Sequence, residues 1–303
     1  MAILTCLPGL EVAVEVDGHR AHEYEADPDE VKSRAKKIRY YSFQQTPDHK
    51  VPYVLKYIEA KPGKPFAFIL DATNFHDFKK TEPKIYWVCS MDGFSSRHKP
   101  MSVGTEDKRS FCQTGGRATG WKRHTFHFGS LDVREGHRGD ATQAKDAKHY
   151  GTLIVNLYLK VDTGRVAFIR DKYSPKPILS VGEKDLKGKA VDSKVNFVSE
   201  PIDYPGQVAT SRNVDPHNRP IAVFEFRYRT MEGLLQEGIV SRPVVKSKEV
   251  VDVEEKFQPR IKSENEERRG VKRERPMDPT SSPLCYKLRR LKNGQVEIDL
   301  TDD

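Results

Sequence analysis

From Leu10 to Val16, apolar side chains fall on every second residue. Leu10, Val12, Val14 and Val16 alternate with Glu11, Ala13 and Glu15, the period of a strand with one face against a core. Asp17-Gly18 follows, a pair suited to a two-residue hairpin turn, so residues 19–25 are expected to return as a second strand. A polar stretch covers 26–39. Strands are then predicted over 53–60 and 65–71, separated by Pro62-Gly63, and over 84–91, closed by a second hairpin signal at Asp92-Gly93.

Further on, residues 121–131 alternate Thr125, His127 and Gly129 with Phe126 and Phe128. Residues 152–161 place Leu153, Val155, Leu157 and Leu159 at period two. Asp162-Thr163-Gly164 reads as a turn, across which 166–170 would pair back. The last strong strand is 221–229, and 231–238 is the one short helix predicted.

This makes about eight to ten strands, with no helix of crossover length between them. The expected fold is mainly β: an antiparallel sandwich-like or open-barrel domain over 1–240. Two long polar insertions, 95–120 and 172–217, read as loops. From 241 to 303 there are 15 Lys plus Arg, 13 Asp plus Glu and no Trp. Such a segment buries too little apolar surface to offset its ordering entropy, so a disordered, charged tail is expected.

Composition agrees with a chain only partly packed. Apolar residues are 36% and charged residues 32%, with a net charge of +8. That balance permits acidic partners without requiring them. Cys6, Cys89, Cys112 and Cys285 form no C-x-x-C pair, so neither a disulfide framework nor a zinc site is expected, and a reducing compartment fits. The opening residues lack a basic region followed by an apolar run, and no apolar stretch approaches about 18 residues. No membrane association is expected. The location anticipated is nuclear, with cytoplasmic as the alternative.

The opening run Met1-Ala-Ile-Leu-Thr-Cys-Leu-Pro-Gly-Leu-Glu-Val-Ala-Val-Glu-Val-Asp-Gly18 resembles the start of a fungal protein family, domain of unknown function 7918. Tyr57-Ile58-Glu59-Ala60, running into Phe66, resembles its second β segment. Phe224 to Tyr228, continuing through Met231-Glu-Gly-Leu-Leu to Arg242-Pro243, resembles its closing strand and short helix. The resemblance covers roughly residues 1–243. It implies a β-rich fold and a fungal source, and it implies no activity.

Four tail motifs carry chemistry. Val296, Ile298 and Leu300 alternate with Glu297, Asp299 and Thr301, ahead of Asp302 and Asp303. An apolar-faced strand with an acidic flank suits addition to a partner's sheet edge, and Ile298-Asp299-Leu300-Thr301 is similar to a SUMO-interacting motif. Glu297 departs from that pattern, standing where a second aliphatic is common. Second, Ile261-Lys262-Ser263-Glu264 and Val271-Lys272-Arg273-Glu274 place lysines in the aliphatic-Lys-x-Glu context of SUMO conjugation. A looser match, Leu159-Lys160-Val161-Asp162, falls in a predicted strand. Third, Arg268, Arg269, Lys272, Arg273 and Arg275, with Lys287, Arg289, Arg290 and Lys292 beyond, suit a nuclear-import receptor. Ser282-Pro283 is a proline-directed phosphorylation context.

Catalytic fingerprints are missing from the sequence. The glycine-rich 114–120 lacks the Gly-Lys-Ser/Thr ending of a phosphate loop and reads as a flexible loop, and there is no H-E-x-x-H, G-x-S-x-G or dinucleotide motif. His124 and His127, three apart on a strand, point to opposite faces and cannot share a metal. No cofactor and no metal are therefore expected. The leading expectation is a non-enzymatic interaction protein whose partner is SUMO or a SUMO-modified protein. The alternatives are nucleic-acid binding and, behind it, a carbohydrate-active or other sandwich enzyme. Nucleic acid would be held by basic loops at Lys79-Lys80, Lys108-Arg109, Arg117 and Lys122-Arg123, with Trp121 or Phe111 stacking on bases.

Overall fold

Two Asp-Gly pairs reverse the chain with φ positive at both residues. Asp17 and Gly18 have φ of 54° and 82°, and Asp92 and Gly93 have 48° and 86°. This is the left-handed pair that a two-residue hairpin needs. Val16 duly pairs with His19, and Met91 with Phe94. The computed structural model describes residues 2–5, 7–39, 52–75, 83–96, 98–102, 104–116, 120–134, 147–167, 180–186, 190–204, 206–242, 287–290 and 296–299. The chain divides into two units, Met1–Val245 and Lys246–Asp303.

In the first unit the strands are β1 (Ala2–Ile3), β2 (Glu11–Val16), β3 (His19–Arg20) and β4 (Glu23–Glu25). The helix α1 (Pro28–Ala35) precedes β5 (Tyr53–Glu59), β6 (Phe66–Asp71), β7 (Lys84–Met91) and the short β8 (Phe94–Ser95) and β9 (Lys99–Pro100). Next come β10 (Glu106–Arg109), β11 (Phe111–Gly116), β12 (Gly120–Ser130), β13 (Asp132–Arg134) and β14 (Thr152–Ala167). The unit ends with β15 (Ser180–Gly182), α2 (Glu183–Leu186), β16 (Ser193–Ile202), β17 (Gln207–Asn213), β18 (Ala222–Arg229) and α3 (Met231–Gln236).

These strands form a sheet in the order β1-β2-β6-β10 with β3 on β2, and a three-stranded sheet β11-β12-β16. An eight-stranded sheet runs β4-β5-β18-β14-β7-β8, with β17 on β14 and β9 on β7. Alternating residues meet in one core. Val12, Val14, Phe66, Phe68, Phe126, Phe128 and Val195 come from the two smaller sheets; Ile58, Trp87, Val155, Leu157, Phe224 and Phe226 come from the large one. The fold is mainly β and packs as a sandwich, as the alternation predicts. Phe66 stacks on Phe128 with centroids 4.4 Å apart, and Phe128 meets Tyr228 at 4.9 Å, so one aromatic column crosses the sandwich.

Several expectations need correction. The predicted return strand 19–25 splits. His19–Arg20 stays with β2, while Glu23–Glu25 crosses to pair with β5 in the large sheet. The polar stretch 26–39 holds α1, whose N-cap Asp27 accepts from the amides of Asp29 and Glu30, with Pro28 in the first turn. That signal was present in the sequence. Asp162-Thr163-Gly164 is not a turn. β14 runs on to Ala167, the register against β17 slips between Asp162 and Gly164, and Val166 pairs with Val208. A local bulge, rather than a reversal, absorbs the extra residue.

The polar insertions are not loops throughout: 95–120 contains β9, β10 and β11, and 172–217 contains β15, α2, β16 and β17. β10 reads Glu-Asp-Lys-Arg and lies at the outer edge of its sheet, where charge discourages pairing with other chains. Its composition hides its conformation. The sheets are also not wholly antiparallel. β18 runs parallel to β5, from Val223 opposite Tyr53 to Arg229 opposite Glu59, and β13 runs parallel to β15. Among the described residues no helix bridges β5 and β18 as a local crossover. The connection is most of the domain.

In the second unit, β19 (Lys287–Arg290) and β20 (Val296–Asp299) pair antiparallel. They fall in the span expected to be a disordered, charged tail, within which these two segments are extended and paired. From residue 243 onward, the rest of the disorder expectation lies outside the described residues.

Candidate functional site

The tail strand is the first candidate. β20 holds Val296, Ile298 and Asp299 of the expected partner-binding run; Leu300, Thr301, Asp302 and Asp303 lie outside the described residues. So do Lys262, Lys272, Ser282, Arg268, Arg269, Arg273 and Arg275. β19 lies along one edge of β20, with Lys287 opposite Asp299, Leu288 opposite Ile298, Arg289 opposite Glu297 and Arg290 opposite Val296. Among the described residues no strand pairs with the other edge of β20. A sequence pattern marked this strand, but the second half of the hairpin read only as part of a basic cluster.

Three buried polar clusters, one beneath α1 on the outer face of the large sheet and two inside the sandwich, were not legible in the sequence. In the first, Glu225 on β18 is almost fully buried. It accepts two hydrogen bonds from the Arg34 guanidinium of α1, at 2.7 and 2.9 Å, and one from the Tyr53 hydroxyl at 3.0 Å. Beside it Arg227 binds Glu30 and the Tyr57 hydroxyl. Burial, reinforced by Glu225, pushes the Tyr53 hydroxyl well above the usual phenol range. Each carboxylate here is held by an arginine, so the cluster clamps α1 to the sheet and leaves no acid or base in search of a proton.

Asp92, in the left-handed turn after β7, is the second. Its carboxylate accepts from the amides of Gly151 at 3.0 Å and Val195 at 2.7 Å, and from the Tyr228 hydroxyl at 2.6 Å, with Thr152 at 3.4 Å. Burial pushes its carboxyl up to about 6, against the pull of those donors. The group ties the turn after β7 to β14, β16 and β18.

His124 is the third. It is 5% exposed and lies on the core face of β12, with its ring nitrogens bound by the hydroxyls of Thr114 at 2.6 Å and Ser199 at 2.7 Å. Burial lowers its pKa. His127 points to the opposite face, as period two requires. Among the described residues no group of three or more His, Cys, Asp or Glu side chains is arranged to hold a metal ion. Cys89 and Cys112 are not joined in a disulfide, and burial pushes the Cys89 thiol up to about 12. The glycine-rich segment is part of a hairpin rather than a loop: Gly115 pairs with Trp121 and Gly116 with Gly120.

The residues invoked for nucleic acid divide. Lys79, Lys80 and Arg117 lie outside the described residues. Lys108 is paired with Glu15, and Arg109 lies over the Trp87 ring at 4.8 Å while donating to Ser96. Arg123 pairs with Glu200 at 3.3 Å. Phe111 and Trp121, by contrast, share one face. The register sets Phe111 and Val198 on either side of Thr125, and Trp121 opposite Gly115 and Ile202. This is the face turned away from Phe126 and Phe128. Arg123 stacks over Phe111 at 4.8 Å, and Trp121 meets Tyr204 edge to face at 5.7 Å.

A family model described as "Domain of unknown function (DUF7918)" matches residues 9–243. No curated protein and no solved structure matches the chain.

Proposed function

The chain belongs to the DUF7918 family, and we propose that it is a non-enzymatic nuclear interaction protein whose C-terminal strand binds SUMO or SUMO-modified proteins. The observation that carries this reading is β20. Val296 and Ile298 alternate with Glu297 and Asp299 in an extended strand that has one edge on β19 and the other edge unpaired among the described residues. Such a strand adds to a partner's sheet through main-chain hydrogen bonds, and its alternate side chains set specificity. Leu300 continues the apolar positions, and Asp302 and Asp303 supply acid for a basic rim. Lys262 and Lys272, in their aliphatic-Lys-x-Glu contexts, are the proposed acceptors of conjugated SUMO. The basic run from Arg268 to Arg275 is the proposed import signal.

Titration of SUMO into the full chain, and into a chain carrying Ile298→Ala and Leu300→Ala, tests the reading. Saturable binding that the double substitution removes supports it. No binding by the parent chain, or equal binding by both, overturns it.

The nucleic-acid alternative has less support. Its basic groups at Lys108, Arg109 and Arg123 are each engaged within the protein, which weakens the electrostatic term that dominates such affinity. The enzyme alternative has no open carboxylate pair to stand on among these polar clusters, since Glu30, Glu225 and Asp92 are each bound to structural partners.

A further inference from the structure

Four polar groups gather on the outer face of the large sheet without protein partners among the described residues. Lys160 of β14 lies between Lys84 of β7 and Asn213 of β17. Tyr158, two residues earlier on the same face, lies opposite Tyr86. Lys160 is 6% exposed, and its amine stands 5.6 Å from the centre of the Tyr86 ring. Among the described residues no carboxylate pairs with it. Asp162, the next acid along the strand, is taken up by Lys84 at 2.6 Å and by the Tyr86 hydroxyl. Asn213 donates its amide to Asn218, while its own Oδ1 is buried with no donor facing it. The Tyr158 and His98 rings meet edge to face at 5.1 Å, and neither the phenol nor the imidazole has a hydrogen-bond partner among the described residues.

Buried polar groups are ordinarily satisfied, and a buried ammonium without a counter-ion is a costly exception. Burial draws the Lys160 amine below its ordinary pKa and raises the Tyr158 phenol. Desolvation, aided by the charges of Lys160 and Arg109, pushes the His98 ring down to about 4. Near neutral pH the imidazole is therefore uncharged and the phenol keeps its proton. Lys160 brings the one unmatched charge among the four groups.

That inventory narrows the occupant. One unmatched cation calls for one negative charge. Phosphate or sulfate would need a second cation, and those nearby are committed: Lys84 to Asp162, and Arg109 to Ser96 and the Trp87 ring. A carboxylate accepts from both the ammonium and the phenol. The orphan Oδ1 of Asn213 needs a donor, so the same molecule carries a hydroxyl or an N–H beside its acid. The depth of the lysine keeps the molecule small.

We propose that Lys160, Tyr158, His98 and Asn213 form a binding site for a small monocarboxylate that bears a hydroxyl or N–H donor. Lys160 and Tyr158 hold the acid, Asn213 receives the donor, and the His98 ring flanks them. The site is independent of the tail and of SUMO, because it lies in a different unit of the chain.

Calorimetry on the full chain with glycolate and with 3-hydroxybenzoate tests the site, with benzoate and inorganic phosphate as comparators. At least one of the two hydroxycarboxylates should bind saturably, and 3-hydroxybenzoate should bind more tightly than benzoate. Lys160→Met should weaken binding by about tenfold or more, in a chain that melts no lower than the parent because an unmatched buried charge is gone. Tyr158→Phe keeps the ring and removes only the hydroxyl, so it gives a second reading in a chain expected to fold, with binding weakened several-fold. The proposal is overturned if neither hydroxycarboxylate binds, if either variant binds as tightly as the parent, if benzoate matches 3-hydroxybenzoate, or if phosphate binds more tightly than both hydroxycarboxylates.

Discussion

The hydroxyl of Tyr228 donates to the carboxylate of Asp92 at 2.6 Å inside the sandwich. Tyr228 also closes the aromatic column through Phe128 and Phe66. One contact thus joins the polar centre of the domain to its apolar one. Asp92 occupies this position because a two-residue turn requires a residue tolerant of positive φ, and its side chain then meets amides from two other strands.

Replacing Asp92 with Asn should be among the most damaging changes in the domain. The amide nitrogen would confront backbone N–H groups that now donate to a carboxylate, leaving buried donors unpaired. A loss of about 3 kcal/mol or more is expected, read as a lower urea midpoint with an unchanged denaturant slope. Tyr228→Phe should cost less, about 1–3 kcal/mol, since Asp92 keeps its amide donors.

The same carboxyl sets a pH dependence. Its folded pKa of about 6 lies above the unfolded value near 4, so the folded state holds its proton more tightly. The contribution is fully present below about pH 4, is lost as pH rises through about 6, and is constant beyond. A shift of this size corresponds to on the order of 3 kcal/mol. Stability curves of the parent and of Asp92→Asn should therefore converge between about pH 4 and about pH 6 and run parallel above. Curves parallel across the whole range would contradict this.

Glu225→Leu should release α1. Arg34 would lose its two hydrogen bonds to Glu225, and Tyr53 one. Arg34 is 42% exposed, so its charge regains water and the cost stays near about 1–2 kcal/mol. Hydrogen exchange should quicken in residues 28–35 while β5 and β18 remain protected. Uniform quickening across the sheet would show that the cluster holds more than the helix.

Phe128→Ala removes the middle ring of the column. A loss of about 3–5 kcal/mol is expected from transfer and cavity terms together, measurable as a fall in melting temperature.

In reconstituted SUMO conjugation, Lys262→Arg together with Lys272→Arg should abolish modification of the full chain, while Lys160→Arg should leave it unchanged. Lys160 lies in β14, 6% exposed and paired on both sides, with Lys84 of β7 and Asn213 of β17, where a conjugating enzyme cannot reach the segment. Modification that persists in the double variant would place the acceptor elsewhere.

What the sequence determined by itself is local. Period-two alternation marks Leu10 to Val16, the Phe126 and Phe128 face, and the leucines of β14, because burial on one face of a strand is written residue by residue. The two Asp-Gly turns follow from backbone sterics at single positions. The strand at Val296 to Asp299 is legible for the same reason. Pairing is another matter. That β18 lies parallel to β5, that Asp162 to Gly164 bulges instead of turning, and that the charged β10 closes a sheet edge depend on which distant strands share a buried face. No local period encodes that choice. The donors around Asp92, the arginines around Glu225, and the meeting of Phe111, Trp121, Arg123 and Tyr204 on one open face come from separate segments. Only the tertiary structure decided them, because the free energy of burying one common core is what selects the register that brings them together.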